Sequence, residues 1–146
     1  MELYLSKLRD VKVPEYGTKN SAGLDFFIPN DFPIHIIPPN GSTNIPSGIK
    51  VRLPEGYCLV AFNKSGVALN KDLIIGACVI DNDYQGEIHL HVMNVGTAMV
   101  TVIPGEKLVQ FLLLPYHQPQ MYLLPKDKLF GSKTERGEGR FGSTDG

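Results

Sequence analysis

The stretch CVIDNDYQGEIHLHVMN, residues 78–94, decides the fold expected for this chain of 146 residues. An apolar run ends at Asp81, a polar tip follows as far as Gly86, and a second apolar run leads away. Two apolar runs joined by a polar, glycine-containing tip predict a β-hairpin with Asp81 and Tyr84 at its mouth. A carboxylate at the end of a buried strand costs free energy unless it has a partner or a function. We therefore expect Asp81 to be a functional residue.

The composition argues against several classes of protein. A chain of this length suits one domain with its own core. The formal net charge is -1 and charged residues make up 20% of the chain, so no strong field favours nucleic acid or an anionic membrane. No apolar run is long enough to span a bilayer, and residues 1–4 do not resemble a signal peptide, so we expect a cytoplasmic protein, in a host cell if it is viral. Cys58 and Cys78 lie in strand-like segments and are expected to be buried, reduced thiols.

Short strands and frequent turns are expected along most of the chain. The 15 glycines and 11 prolines separate apolar runs, which is typical of an all-β barrel or sandwich. One helical turn is expected at residues 67–71, and residues 49–53 and 57–62 are expected to pair as a hairpin. The other predicted strands are residues 24–28, 34–37, 73–80, 87–94, 100–103, 107–116 and 121–124.

The chain changes character at residue 131. The remainder, GSKTERGEGRFGSTDG, is rich in glycine and charge and contains one aromatic residue, Phe141. Such a segment cannot bury itself, so we divide the chain into a β domain, residues 1–130, and a flexible C-terminal tail, residues 131–146. The tail fits a disordered terminus, but Arg136, Arg140, the glycine amides and the hydroxyls also suit phosphate oxygens, and Phe141 offers a face to a base. A nucleotide would let the tail close as a lid.

Two further groups of side chains are candidates for binding. Ser65 and the amide of Gly66 follow a predicted strand and suit a phosphate at a helix start, although a serine there also fits an ordinary helix N-cap. His89 and His91 share one face of a strand, as metal ligands on jelly-roll strands can. A third histidine and a carboxylate at a convincing spacing are missing, so a metal site there is not favoured.

Taken in order, these segments resemble the trimeric dUTPase family, the deoxyuridine triphosphate nucleotidohydrolases. Five blocks match in sequence order and together span most of the chain. Any one block is weak support, whereas five in order at ordinary separations form a specific match. The blocks are SAGLD at 21–25, KSG at 64–66, VIDNDYQGEI at 79–88, GEKLVQ at 105–110 and RGEGRFGST at 136–144.

The resemblance implies a distorted jelly-roll or β-barrel fold and a homotrimer with three active sites at subunit interfaces. In the family the third block comes from one subunit, the second and fourth from its neighbour, and the tail from the third subunit. The implied reaction is hydrolysis of dUTP to dUMP and pyrophosphate with Mg²⁺ on the triphosphate. This reaction limits uracil in DNA and supplies dUMP for dTMP synthesis.

The resemblance also implies a role for each matched residue. Asp81 resembles the carboxylate that orients and deprotonates the water attacking the α-phosphorus, and Tyr84 resembles the residue whose ring packs on the deoxyribose and excludes a 2′-hydroxyl. Backbone groups at Cys78 and His89 occupy the positions that bind the polar edge of uracil. The further nucleotide contacts implied are Lys64, Ser65, Gly66, Val79, Ile80 and Gln110 in the β domain and Arg136, Phe141, Gly142, Ser143 and Thr144 in the tail.

Three positions leave open questions. Asp25 resembles a carboxylate near the water shell of the metal, and a structural hydrogen bond is the alternative for it. Lys64 stands where the family usually has arginine, which keeps the charge but loses the bidentate fork. Cys78 stands where glycine is common beside uracil.

Two other functions fit parts of the sequence. The dCTP deaminases share this fold and much of the second and third blocks, but they need a glutamate where this chain has His91. A trimer of this fold can also act as a nucleotide-switched module that binds a protein partner. Every catalytic residue type is retained here, which favours the enzyme, and the sequence identifies no partner.

Overall fold

The computed structural model describes residues 1–142 and residue 144, and these residues form β-strands with one short helix. The helix, α1, is Ser65–Lys71. The strands are β1 (Tyr4–Lys7), β2 (Glu15–Tyr16), β3 (Leu24–Phe26), β4 (His35–Ile37), β5 (Ser42–Pro46), β6 (Ile49–Arg52), β7 (Tyr57–Asn63), β8 (Leu73–Ile75), β9 (Val79–Ile80), β10 (His89–Asn94), β11 (Val100–Val102) and β12 (Val109–Pro115).

The strands form four sheets in which every pair is antiparallel. The largest sheet has the order β2-β3-β12-β7-β9, the next has the order β5-β10-β8, and β1-β6 and β4-β11 form two-stranded sheets. The predicted all-β, jelly-roll-like class is confirmed, and the sheets of the described residues do not close into a barrel. No helix within the described part of the chain has the length and apolar character needed to cross a membrane.

One apolar core joins the larger sheets. The rings of Phe26 on β3 and Phe111 on β12 pack with their centroids 4.6 Å apart, and both side chains are almost fully buried. Along β10 the side chains alternate, so Leu90 points into the core while His89 and His91 share the outer face, as predicted. Outward residues of β10 are thereby available at the surface.

The predicted hairpin of residues 73–94 is only half formed. β8 pairs with β10 as far as Ile75↔Val92, and the Gly76 N–H then donates to the His91 carbonyl at 3.0 Å. The next N–H, that of Ala77, donates to the His91 side chain at Nδ1 instead, at 2.9 Å. β9 then pairs with β7 in the other sheet. The two arms of the predicted hairpin therefore part and leave a cleft.

The predicted hairpin of residues 49–53 and 57–62 is wrong. β6 pairs with β1, whereas β7 pairs with β12 and β9. The turn between them diverts the chain from one sheet to another, with Gly56 at φ +81°. Asn82 fixes this turn, because its Nδ2 donates to the Pro54 and Tyr57 carbonyls at 2.8 Å each.

The predictions for the helix, for residues 121–124 and for the two cysteines are confirmed only in part. The helix is present and starts earlier than expected, with Lys64 as an N-cap that makes no side-chain cap hydrogen bond, so Ser65 is not the N-cap.

Residues 121–124 form no strand within the described chain, where Leu123 is fully exposed, so that prediction is wrong. A strand needs a partner, and none of the described strands pairs with this segment. Cys58 and Cys78 are free thiols, as predicted, but only half-buried.

Asn94, at the end of β10, is a buried polar residue that ties three chain segments together. Its Nδ2 donates to the Ile37 carbonyl at 2.9 Å and to the Ala98 carbonyl at 2.8 Å. Its Oδ1 accepts from the Gly96 N–H at 2.9 Å. Each of these groups would be costly to leave unpaired because Asn94 is 1% exposed.

Replacing Asn94 by aspartate should destabilise the fold without changing its shape. Asn94→Asp keeps the volume but removes both donors, and two unpaired carbonyls should lower the free energy of unfolding by about 2–5 kcal/mol. Urea unfolding at pH 7 measures this change. The matched control, Asn70→Asp on the exposed face of α1, should stay within about 0.5 kcal/mol of the parent. Equal effects of the two changes would contradict the role of Asn94.

Candidate active site

A cavity of about 230 Å³ lies where the arms of the broken hairpin part. It is bounded by β9 and the following tip on one side and by the start of β10 on the other. Six residues proposed from the sequence come together here, and four others complete the lining. The six are Cys78, Val79, Ile80, Asp81, Tyr84 and His89, and the four are Asn44, Ala77, Glu87 and Phe111.

The parted strands leave backbone groups beside the cavity. On the β9 side, the Cys78 carbonyl accepts the Ala61 N–H at 2.8 Å, so this strand is held against β7 rather than against β10. Opposing strand segments that do not reach each other keep donors and acceptors that need partners. A flat ligand with a polar edge is a suitable partner for such a gap.

Asp81 stands at the mouth of this cavity. Its side chain is exposed, so the argument from the cost of burial is wrong for this residue in the single chain. Asp81 also lines an adjoining cavity of about 530 Å³ together with Asn82, Asp83 and Tyr116. The tip is fixed by Asn82 and by the Tyr84 N–H, which donates to the Asp81 carbonyl at 3.1 Å. Asp81 therefore faces open space on a well-held turn.

Tyr84 has a defined orientation. Its hydroxyl donates to the Glu87 carbonyl at 2.8 Å. The ring lies against Gly86, where an added Cβ would sit 2.4 Å from the Tyr84 hydroxyl oxygen, so only glycine permits this approach. With 42% of the residue exposed, the ring keeps a free face toward the cavity.

Glu87 and Arg9 form an ion pair that the sequence did not reveal. Arg9 Nε lies 3.0 Å from Glu87 Oε2, and Arg9 Nη2 lies 3.0 Å from Glu87 Oε1, which is a bidentate arrangement. The hydrogen bonds from Arg9 lower the pKa of Glu87, while burial opposes them. The partners lie 78 positions apart, so no local pattern could have joined them.

A second cluster lies where β3, β7 and β12 meet the start of α1. The Asp25 carboxylate is buried between two cations: Lys64 donates to Oδ1, and Lys107 Nζ lies 3.3 Å from Oδ2. Gln110 Nε2 donates to the Asn63 carbonyl at 2.8 Å. Ser65 and Gly66 are exposed beside this cluster. The cluster therefore holds cationic, amide and hydroxyl donors close to one another.

The tail forms a third group. Arg136, Phe141, Gly142 and Thr144 are exposed, and Ser143 lies outside the described residues. Within the described residues, no hydrogen bond or ion pair links the tail to the cavity. None links the second cluster to the cavity or to the tail. One chain thus presents three sets of predicted site residues that no described hydrogen bond or ion pair joins.

The described residues offer no ready-made metal site. No group of three or more histidine, cysteine, aspartate or glutamate residues among them is placed to hold a metal ion. Nδ1 of His91 is occupied by the Ala77 N–H, which removes one nitrogen from the His89–His91 pair.

Comparisons with known proteins agree with this geometry. A family model described as dUTPase matches residues 9–145. The deoxyuridine 5'-triphosphate nucleotidohydrolase of Hydrogenovibrio crunogenus is 36% identical over 141 residues, covering 93% of this chain and 88% of that protein. The protein of the same name from a Hydrogenobaculum species is 34% identical over 147 residues, covering 99% of this chain and 98% of that protein.

Solved structures show the same fold. The dUTPase of Staphylococcus bacteriophage 80alpha, solved with dUpNHpp, has a TM-score of 0.86 at 23% identity and covers 98% of both chains. A mutant dUTPase from phage phi11 of S. aureus, described with a structural Mg(II) ion, has a TM-score of 0.77 at 21% identity and covers 85% of this chain and 97% of that chain. Both likenesses bear on the fold alone.

The fold, the cleft and the comparisons define an all-β enzyme of the nucleotide-hydrolysing class. The chain belongs to the dUTPase family, whose model spans nearly all of it. The family predicted from the five blocks and the predicted enzyme class, a nucleotide diphosphohydrolase, are therefore confirmed.

The Arg9–Glu87 pair should make stability depend on pH in a defined direction. Because the pKa of Glu87 is lowered in the folded protein, its stabilising contribution is complete above the unfolded glutamate pKa of about 4.3 and is lost as the pH falls through the lowered value. The difference in unfolding free energy between the parent and Glu87→Gln should follow this course in urea titrations. In an Arg9→Met background that pH dependence should shrink or reverse, because the largest cause of the lowered pKa is gone and burial still opposes ionisation of Glu87; an unchanged dependence there would contradict the assignment.

Proposed function

We propose that this chain hydrolyses dUTP to dUMP and pyrophosphate in an active site that three copies build together, and so limits uracil in DNA and supplies dUMP for dTMP synthesis. The observation that carries the proposal is the cavity at the parted hairpin, which gathers six of the residues expected from the sequence, Asp81 and Tyr84 among them. The relatives described above, named deoxyuridine 5'-triphosphate nucleotidohydrolases, support this substrate.

The gap between β9 and β10 suits the base. Backbone groups at Cys78 and His89 would bind the polar edge of uracil as if it were an inserted strand. Cytosine exchanges a donor for an acceptor on that edge, so a fixed backbone pattern rejects it strongly. We expect the slot to exclude the methyl group of thymine as well. The Cys78 carbonyl already accepts one hydrogen bond, so its N–H and remaining lone pair are the groups left for a base.

The ring of Tyr84 would pack on the deoxyribose and leave no space for a 2′-hydroxyl. The hydroxyl bond to the Glu87 carbonyl and the contact with Gly86 hold the ring in one orientation, which supports this role. A ring that is fixed before binding discriminates better than one that can turn aside.

Asp81 would hold and deprotonate the water that attacks the α-phosphorus. An exposed carboxylate on a fixed turn at the cavity mouth can reach both a bound nucleotide and solvent. General-base assistance of this kind contributes on the order of 10²- to 10⁴-fold. In-line placement of the water and the α-phosphorus contributes the rest of the rate enhancement.

The triphosphate would extend beyond this small cavity. We assign its contacts to Lys64, Ser65, Gly66 and Gln110 of one neighbour and to the tail of another, with Phe141 covering uracil. The lack of any described hydrogen bond or ion pair among these groups in the single chain supports a homotrimer, as do the exposed apolar side chains of residues 121–130, among them Tyr122, Leu123 and Phe130. Residues 131–146 would act as the lid of the β domain formed by residues 1–130.

Mg²⁺ would be held mainly by the phosphates themselves. The donors present fit this arrangement, because Lys64 and the exposed hydroxyl of Ser65 suit phosphate oxygens and Asp25 would act only through water. When bound, the ion supplies neutralisation of phosphate charge. The chain supplies Lys64, Arg136 and the hydroxyls of Ser65, Ser143 and Thr144, which orient the phosphates. Asp25 would meet the water shell only in the assembled site, because its own carboxylate already faces Lys64 and Lys107.

The deaminase alternative loses support. Where a dCTP deaminase needs a glutamate, His91 stands with Nδ1 bound to a backbone N–H. Pyrophosphate and ammonia release should therefore be measured with dUTP, dCTP, dTTP and UTP, with and without Mg²⁺. Pyrophosphate from dUTP alone is expected, and ammonia from dCTP would overturn the proposal.

Asp81→Asn should bind dUTP with nearly unchanged affinity and lose about 10²- to 10⁴-fold in kcat, because an amide cannot accept the proton of water. Calorimetric titration and pyrophosphate release measure the two effects. Asp72→Asn makes the same change at an exposed carboxylate that lines neither the cavity nor the cluster around Asp25, and it should leave kcat unchanged. Activity that survives in Asp81→Asn would remove this residue from the reaction.

A chain truncated before Arg136 should still fold and associate into trimers but turn over dUTP far more slowly, because the terminal phosphates lose their donors. Sedimentation analysis and steady-state kinetics test the two parts separately. Unchanged kinetics would exclude the lid, and a fully active monomer would exclude the shared site.

A further inference from the structure

We propose that Arg9 is a positioning residue for sugar selectivity: by clamping Glu87, it fixes the carbonyl that holds the Tyr84 hydroxyl. Arg9 does not itself line the cavity, and it contacts Glu87, which does. The inference rests on the proposed function, because it requires that the Tyr84 ring borders the deoxyribose.

The first link is the hydroxyl of Tyr84. Tyr84 sits on an exposed tip between Asp83 and Gln85, both also exposed. Among the described residues the hydroxyl makes one hydrogen bond, to the Glu87 carbonyl at 2.8 Å. The backbone of Gly86 limits the ring from below. The position of the Glu87 carbonyl therefore sets the tilt of the ring.

The second link is Glu87 itself. Glu87 lies just before β10. The Ile88 N–H, in the same peptide unit as the Glu87 carbonyl, donates to the Ile49 carbonyl at 2.9 Å, so the backbone after Glu87 is anchored and Arg9 holds the side chain on the other side. Its side chain, 14% exposed, is gripped by Arg9 through Nε at 3.2 and 3.0 Å from the two carboxylate oxygens and through Nη2 at 3.0 Å. Its carbonyl also lies 3.1 Å from Nδ1 of His89. A fork held at both oxygens restricts rotation of Glu87 far more than a single contact would.

The third link is the fixed position of Arg9. The neighbouring Leu8 N–H donates to the Gly48 carbonyl at 2.7 Å, and the Asp10 carbonyl accepts the Asn30 N–H at 2.8 Å. A Cβ at Gly48 would lie 3.0 Å from Cβ of Arg9, so the arginine stem passes closely over this glycine. The backbone on both sides of Arg9 is thus anchored, which restricts the position of its guanidinium group.

Charge adds a second consequence. Glu87 lines the cavity in which a triphosphate-bearing ligand is expected. An unpaired carboxylate there repels an anionic substrate, whereas the Arg9 ion pair neutralises it. Removing Arg9 should therefore weaken binding of dUTP, because the Glu87 charge is no longer neutralised. It should also lower the selectivity for deoxyribose, because the Tyr84 ring is less firmly held, and these two effects can be measured separately.

The test compares kcat/KM for dUTP and UTP in the full-length protein. Arg9→Met should lower the dUTP:UTP ratio by roughly 3- to 10-fold, with a raised KM for dUTP and a kcat close to that of the parent. Arg9→Lys should fall between, because it keeps the charge and loses the fork. Lys7→Met, an equal charge change on an exposed β1 residue that no described ion pair includes, should leave the ratio unchanged.

Two double variants separate positioning from general damage. Tyr84→Phe lacks the tethered hydroxyl, so adding Arg9→Met to it should change the ratio by less than about twofold. Adding Glu87→Gln to Arg9→Met should restore part of the KM for dUTP, because the unpaired charge is gone, while the ratio stays low. If Arg9→Met unfolds, Arg9→Lys carries the same comparison.

Two outcomes are distinct failures. A parent protein that does not hydrolyse dUTP overturns the proposed function and this inference together. A parent that hydrolyses dUTP and rejects UTP, with an Arg9→Met variant of equal selectivity or with effects of Arg9→Met and Tyr84→Phe that simply add, overturns this inference alone.

Discussion

The interruption of the β8–β10 ladder is the feature on which the site depends. At that point a backbone partner is replaced by a side chain, since Nδ1 of His91 accepts the Ala77 N–H. Gly76 permits this, because a Cβ there would lie 1.9 Å from that nitrogen. Because the Ala77 N–H is bound to a side chain, the chain leaves β10 at this point, and its next strand, β9, pairs with β7. The space between β9 and β10 is the cavity. A continuous hairpin would have satisfied its backbone groups internally and left no slot for a ligand.

Hydrogen bonds and ion pairs order the cavity and the cluster around Asp25 separately, and no described bond of either kind joins them within one chain. Asn82 ties the tip to the turn between β6 and β7, and Tyr84 is tied to Glu87. The cationic cluster around Asp25 is ordered by its own ion pairs. Ordered fragments that no described hydrogen bond or ion pair joins suit assembly by neighbouring subunits, because each fragment is preorganised and association need only align them.

The sequence predicted the features that are local and missed those that depend on distant partners. Residues 78–81 and Tyr84 line the cavity because they follow along one strand and its tip, so a motif captures them. The pairing of residues 49–53 with 57–62 was wrong because a turn signal at residues 54–56 says where the chain reverses but not which sheet receives it. The strand expected at residues 121–124 has the right composition but no partner among the described strands. Arg9 and Glu87 meet only through the folded chain, and neither lies in a pattern that predicts the other.

The distribution of charge favours Asp81 over Asp25 and Glu87 as the proposed proton acceptor. Asp25 faces Lys64 and Lys107, and Glu87 faces Arg9, so the oxygens of both are engaged by cations. Within the described chain Asp81 takes part in no ion pair and is exposed at the cavity mouth, so its lone pairs remain available to a water molecule. A carboxylate already bound to cations is a poor base because protonation must break those contacts. The same pairing keeps the charge of Asp25 and Glu87 from opposing an anionic nucleotide, whereas the exposed Asp81 carboxylate has no described cation beside it.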